Sequence, residues 1–426
     1  MSRPVDLDLL PEHAEVGKGG RLTIAGVDVL DLCEEHGTPV FVYDEQHIRN
    51  RCREAVAAFG ADVAYASKAF FCTEMARVAH EEGMRIDVST GGELFVALHA
   101  GVAPERLVLH GNNKSDAELA MALDAGVGRI VVDSFDELDR LERLCEARNA
   151  RPAVLVRITP GVEAHTHEYV MTGQDDSKFG FGLASGDAEK AVGRLLGAPS
   201  GPELVGVHAH IGSQIFALDS FAKAVEAIAP FFSTLGVSEL CIGGGLGVGY
   251  VEGEPTPSFE GWARAVRAAA ADAGIPAGVS LSAEPGRAIV AAAAITCYTV
   301  GTIKDIPGIR TYVSVDGGMS DNPRPVLYGS GYEAFLPRET AASRPRTVTV
   351  VGKHCESGDV IVRDAAVPED LAVGDILVTP VTGAYGHSMA SNYNKVPRPP
   401  VVWVRDGAAR VVVRRETFED LVSRDC

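Results

Sequence analysis

"RLVLHGNNKSDAELAMALDAGVGRIVVDS", Arg106 to Ser134, decides how this 426-residue chain is read. Two short runs rich in Val, Leu and Ile, "RLVLHG" (106–111) and "RIVVDS" (129–134), flank a stretch with helical spacing of its apolar residues, "SDAELAMALDAG". Ser115 opens that stretch and Gly126 closes it. A serine hydroxyl satisfies first-turn N–H groups, and glycine takes the left-handed conformation that ends a helix. Strand, helix and strand at this spacing describe two parallel strands joined by a crossover helix.

The same rhythm runs outward in both directions, from about Thr38 to Val290. Further strands read as "DVAYASK" (62–68), "RIDVST" (85–90), "AVLVRIT" (153–159), "LVGVHAHIG" (204–212), "ELCIGGG" (239–245) and "VSLSAEPG" (279–286). Eight such units predict an α/β fold built on a (β/α)8 TIM barrel, assigned to residues 36–290. Beyond residue 290 the β-rich runs succeed one another without helical spacers. They predict a C-terminal antiparallel β-barrel or sandwich domain over 291–426, completed by strands from residues 1–35. One long polar segment, 160–182, reads as a binding loop or lid at the barrel mouth, or a surface insertion.

Composition excludes several functions. A formal net charge of −19 is the opposite of a phosphate-backbone footprint, so no nucleic-acid partner is expected. Eight cysteines lack CxxC spacing, which predicts reduced thiols rather than disulfides or a zinc site, and no metal is expected. The N-terminus has no signal-like apolar core, and no run approaches a membrane span. A soluble, cytoplasmic protein is the expectation.

Barrel enzymes work at the C-terminal ends of their strands. Polar residues cluster there: Lys68, Asp87, Ser89, His110, Asn112, Asp133, Arg157, His210, Ser213, Glu284 and Arg287. "GGGLG" (243–247) comes after strand seven and "EPGR" (284–287) after strand eight, the places where barrels commonly bind phosphate through bare backbone N–H groups. A glycine-rich turn alone is as consistent with plain tight packing. Lys68, between small neighbours at the end of strand one, offers an amine that can condense with an aldehyde. A lysine amine, a phosphate cradle and a carboxylate for a protonated ring nitrogen together describe a pyridoxal phosphate site. Glu284 is the candidate carboxylate, the flat imidazole of His210 suits stacking on the ring, and Ser213 suits the phosphate.

The ordered motifs "YASKAF", "DVSTGGEL", "HGNNK", "HIGSQ", "GGGLG", "EPGR", "DGGMSDNPRPVLYG", "GKHCESGD" and "TGAYGHSMASNYN" span nearly the whole chain. On them the sequence resembles the fold-type III pyridoxal phosphate-dependent decarboxylases and, within them, the diaminopimelate decarboxylases. The resemblance implies decarboxylation of meso-2,6-diaminopimelate to L-lysine, the last step of lysine biosynthesis. It also implies a head-to-tail homodimer in which each active site is completed by the partner's β domain. Carried over residue by residue, Lys68 holds the cofactor, and Gly244, Gly245, Gly286 and Arg287 join His210, Ser213 and Glu284 around it. Arg287, Arg324 and Tyr328 match substrate-carboxylate contacts, and guanidinium forks suit that task. Glu356 matches the group that reads the distal ammonium, Tyr385 one that touches both cofactor and substrate, and Cys355 the proton donor. The alternative is a related decarboxylase of another basic or carrier-linked amino acid; an ornithine or arginine decarboxylase has no distal carboxylate for Arg324 and Tyr328 to bind. Two places depart from the family pattern: "SKAFF" around Lys68, and His387 after "GAYG".

Overall fold

The computed structural model describes residues 6–17, 19–162, 176–198 and 200–426. In it Leu107–Leu109 and Arg129–Val132 are parallel neighbours, with Val108 opposite Arg129 and Leu109 opposite Ile130. The helix between them, Asp116–Ala125, has a reciprocal cap: Ser115 Oγ accepts from the Glu118 N–H, and the Glu118 carboxylate accepts from the Ser115 N–H. It stops at Gly126, in the left-handed region at φ 77°. Serine side chains also cap the helices Phe135–Arg148 and Phe259–Asp272, at Ser134 and Ser258.

Eight parallel strands succeed one another around a single sheet: Ala64–Ala66, Arg85–Val88, Leu107–Leu109, Arg129–Val132, Ala153–Thr159, Glu203–Ala209, Glu239–Cys241 and Ser280–Ser282. The first meets the last through Ala64 N–H to Ala283 O (2.9 Å) and Ala66 N–H to Pro285 O (3.1 Å), which closes the barrel. A two-residue strand, Phe181–Gly182, lies alongside Ile158 and Thr159. Several strands end sooner than the sequence suggests. Ser67–Ala69 is a short 3-10 turn, and the regular strands end at Cys241 and Ser282, with single backbone hydrogen bonds such as Glu284 N–H to Gly243 O (2.8 Å) continuing beyond them. The chemistry-bearing residues expected at those strand ends therefore stand on turns.

The chain divides into two compact units. One comprises 51–247 with 255–288, and holds the barrel. The other comprises the residues up to Asn50, 248–254 and 289–426. Its larger sheet runs in the order Val360–Val367, Arg346–Val351, Arg310–Val315, Ala294–Ile306, Val40–Asp44, Val401–Arg405 and Ala408–Val413, with Ile376–Pro380 also on Ala294–Ile306. This sheet is mixed rather than purely antiparallel: Arg310–Val315 pairs in parallel with Arg346–Val351, as Val40–Asp44 does with Val401–Arg405. The strand that completes it from the N-terminal side is Val40–Asp44, which lies within the segment that the sequence assigns to the barrel. The earlier strands Ala14–Val16, Leu22–Ile24 and Val27–Asp28 form a small sheet of their own. Leu22, Ile24, Leu32 and Cys33 nevertheless share one apolar cluster with Val40, Val42, Ile295, Cys297, Val378 and Val402. Each aliphatic side chain so buried contributes about 1.5–3 kcal/mol.

Residues 163–175 of the expected loop lie outside the described residues. The end of that loop is anchored to the barrel: Asp133 Oδ1 accepts from the Gly180 N–H (2.8 Å), and Thr159 Oγ1 donates to Phe179 O (2.8 Å). Among the described residues no helix is long and apolar enough to cross a membrane.

Candidate active site

Glu284 leaves the eighth barrel strand with its carboxylate buried, and each oxygen has its own partner. His110 Nε2 lies 2.8 Å from Oε1 and His208 Nε2 lies 2.8 Å from Oε2. The two imidazoles meet edge to face with centroids 4.8 Å apart, and Asp87 Oδ1 is 3.7 Å from His110 Nε2. Burial alone would drive the Glu284 carboxyl up, but His110 and His208 outweigh it and hold it well below the usual carboxylate range. Burial pushes Asp87 up to about 6 and His208 down to about 4. His110 is also opposed by burial, yet Asp87 and Glu284 carry it above its ordinary value.

His210, one residue past strand six, accepts the Gly244 N–H at Nδ1 (3.1 Å). Burial, with the Lys68 and Arg157 charges, holds it well below the ordinary imidazole range, so it is the neutral tautomer with its proton on Nε2. Lys68 is exposed on the turn after strand one, close enough for its charge to act on Asp87 and His210. The turn after strand seven is tied to the turn after strand six by Ile215 N–H to Gly245 O and Gly247 N–H to Ile215 O, each 2.9 Å. A Cβ at Gly244 would stand 2.3 Å from Glu284 O, and one at Gly245 2.3 Å from Gly212 O, so only glycine lets these backbones approach. Ser213 Oγ accepts from Arg287 Nη2 (3.0 Å), and Gly286 lies against Ala66.

These residues fit pyridoxal phosphate. A bare glycine turn joined to a hydroxyl and a guanidinium suits a phosphate. A buried acid held as an anion suits a protonated ring nitrogen, and a lysine amine suits an aldehyde. Lys68, His210, Ser213, Gly244, Gly245, Glu284, Gly286 and Arg287 all belong to the barrel unit, as their sequence positions lead one to expect.

The remaining expected residues belong to the second unit. Arg324 is buried, donates through Nη1 to Tyr332 Oη (3.0 Å) and through Nη2 to Ser330 Oγ (3.1 Å), and lies over the Tyr250 ring at 4.0 Å. Tyr385, at φ 59°, is near enough for its hydroxyl to act on Arg324. Tyr328 is the half-buried last residue of the short helix Arg324–Tyr328. Cys355 and Glu356 are exposed in the turn between Arg346–Val351 and Val360–Val367. That turn is held from outside. Asn394 Oδ1 accepts from the Cys355 N–H (3.1 Å), the Asp359 carboxylate accepts from the Met319 and His354 N–H groups (2.6 and 2.9 Å), and His354 Nε2 meets Ser320 Oγ at 2.9 Å.

A family model described as "Pyridoxal-dependent decarboxylase, pyridoxal binding domain" matches residues 45–291. The diaminopimelate decarboxylase of Mycobacterium tuberculosis is 47% identical over 97% of this chain and 96% of its own length. That of Halalkalibacterium halodurans is 48% identical over 97% of both chains. The chain belongs to the diaminopimelate decarboxylase family. A solved member, diaminopimelate decarboxylase from M. jannaschii in complex with L-lysine, superposes with a TM-score of 0.89 at 31% identity, covering 97% of this chain and 98% of the other. Membership brings the cofactor with it: the chain is a pyridoxal phosphate-dependent decarboxylase.

Within this diaminopimelate decarboxylase fold, sequence reasoning missed three contributors. His208 is one residue of the "VHAH" strand, and nothing in the run distinguishes its inward side chain from a packing residue. Tyr250 stands three residues beyond the "GGGLG" turn, outside the motif. Asn394 lies inside a quoted motif, "SNYN", and only the tertiary contact to Cys355 marks it.

Proposed function

We propose that this chain removes carbon dioxide from the D-configured centre of meso-2,6-diaminopimelate and releases L-lysine, the final step of lysine biosynthesis. Near-full-length identity to diaminopimelate decarboxylases carries this reading, and the guanidinium of Arg324 supports a substrate with an acid group at each end.

Bound pyridoxal phosphate supplies the sink for the electron pair that stays on the α-carbon when carbon dioxide leaves. Lys68 would hold the cofactor's aldehyde carbon through its amine, which the substrate amine would have to displace. Glu284, held as an anion, keeps the ring nitrogen protonated. Ser213, Gly244, Gly245, Gly286 and Arg287 would bind the phosphate end, and the neutral His210 would suit stacking on the ring. Arg324 and Tyr328 hold the distal carboxylate with help from Arg287, Glu356 accepts the distal ammonium, and Tyr385 closes against cofactor and substrate. The Cys355 thiol gives its proton to the α-carbon, replacing the carboxyl group that has left.

The active unit is a homodimer, in which Cys355 and Glu356 act in the partner's site. Their exposure in the single chain supports this. Lys68→Ala should lose the long-wavelength cofactor absorbance and nearly all turnover, and Cys355→Ala nearly all turnover. Random mixing of the two variants should restore about a quarter of wild-type activity, since half the dimers are hybrids with one intact site of two. No recovery despite demonstrated subunit exchange would place Cys355 in its own chain's site. Normal turnover by Lys68→Ala would remove the assignment of the cofactor to that lysine.

A further inference from the structure

The groups around Glu284 do more than bury it. A carboxyl group in a barrel core tends to take up a proton, because low polarity disfavours its charged form. Here each oxygen meets its own imidazole at 2.8 Å, and a hydrogen bond from each favours the charged form of the acid. The two imidazoles are not equivalent. His110 faces two acids, Glu284 and, at 3.7 Å, Asp87. His208 faces Glu284 alone, and its Nδ1 is buried with no hydrogen-bond partner among the described residues.

We propose that His110 and His208 are positioning residues for Glu284: His208 as a neutral N–H donor and His110 as an imidazolium backed by Asp87, together fixing the negative charge that the cofactor's ring nitrogen needs. This rests on the reading that Glu284 meets that nitrogen. Each buried cation then has an acid against it: His110 lies between Glu284 and Asp87, and Arg157 is 3.7 Å from the buried Asp133, so neither charge is left uncompensated. The other titratable groups acting on the cluster are Lys68 and Glu93 on Asp87, and Cys241, whose thiol is kept protonated by burial. Burial likewise holds His208 uncharged, whereas Asp87 and Glu284 overcome burial at His110.

The test uses holoenzyme. Nitrogen-15 spectra of the histidine side chains at neutral pH should show His110 protonated on both nitrogens and His208 on Nε2 alone. His110→Gln keeps an N–H donor but no charge. It should bind cofactor, lower kcat by about tenfold or more, the loss that goes with a one-unit displacement of a pKa, and leave KM unmoved. The pH titration of the cofactor absorbance should shift with it. His208→Gln replaces one neutral donor by another and should do much less. If His110→Gln does not fold, Asp87→Asn takes its place, with the same loss of kcat and spectral shift expected. A neutral His110 in the wild type, or full kcat with an unshifted titration in the variant, would overturn the proposal. Glu284→Gln separates the two layers. Undiminished turnover in that variant would remove the role of Glu284 itself; impaired turnover there, with a normal His110→Gln, would remove only the histidines.

Discussion

Arg324 is buried, yet two of its nitrogens donate only to hydroxyls, of Tyr332 and Ser330, and its Nε has no hydrogen-bond partner among the described residues. No acid within its unit neutralises it by a salt bridge among the described residues, and the flat face of Tyr250 at 4.0 Å fixes its plane. A guanidinium held in one plane is a fork for a carboxylate, and lysine cannot reproduce it. Arg324→Lys should therefore raise KM for meso-diaminopimelate by about tenfold or more, about 1.4 kcal/mol of binding, with kcat changed far less. Steady-state kinetics check this, and an unchanged KM would mean that the distal carboxylate is read elsewhere. The barrel candidates stand out in the sequence because charged groups at strand ends have few packing roles, whereas Arg324, on the short helix Arg324–Tyr328, stands out only through the family motifs. Tyr250 does not, since an aromatic whose contribution is the face it turns to a cation looks like any core residue in a string of letters.

At the scale of elements, the barrel strands were legible as runs and their ends were not. "ELCIGGG" reads as one strand, but the regular strand ends at Cys241 and Gly243 turns to φ 68°. A strand and the tight turn that continues it share composition, whereas only the turn leaves bare backbone of the kind that suits a phosphate. Gly245 shows the requirement most directly: its φ is 118°, and an added Cβ would meet Gly212 O at 2.3 Å. Gly245→Ala should force the two turns apart and weaken cofactor binding by about tenfold or more. Fluorescence titration of the apoprotein with pyridoxal phosphate measures it, and wild-type affinity would show that the close approach is dispensable. Val40–Asp44 illustrates the other limit. Its five residues are all buried, so nothing local tells which sheet it joins; its partners are Ala294–Cys297 and Val401–Val404, far along the chain.

For the whole molecule, the switch from alternating strands and helices to consecutive strands near residue 290 was legible because crossover helices announce parallel sheets. The mixed character of the second sheet was not, since strand direction depends on pairing across long sequence distances. The family relation reaches across both units, and with it the expectation that substrate is read by the second and cofactor held by the first. The most direct measurement is carbon dioxide release by the purified protein with pyridoxal phosphate, given meso-diaminopimelate, with ornithine, arginine and lysine run beside it. Release from meso-diaminopimelate alone, with L-lysine as the product, is the expected result. Release from ornithine or arginine instead, or none from meso-diaminopimelate with cofactor visibly bound, would contradict the account.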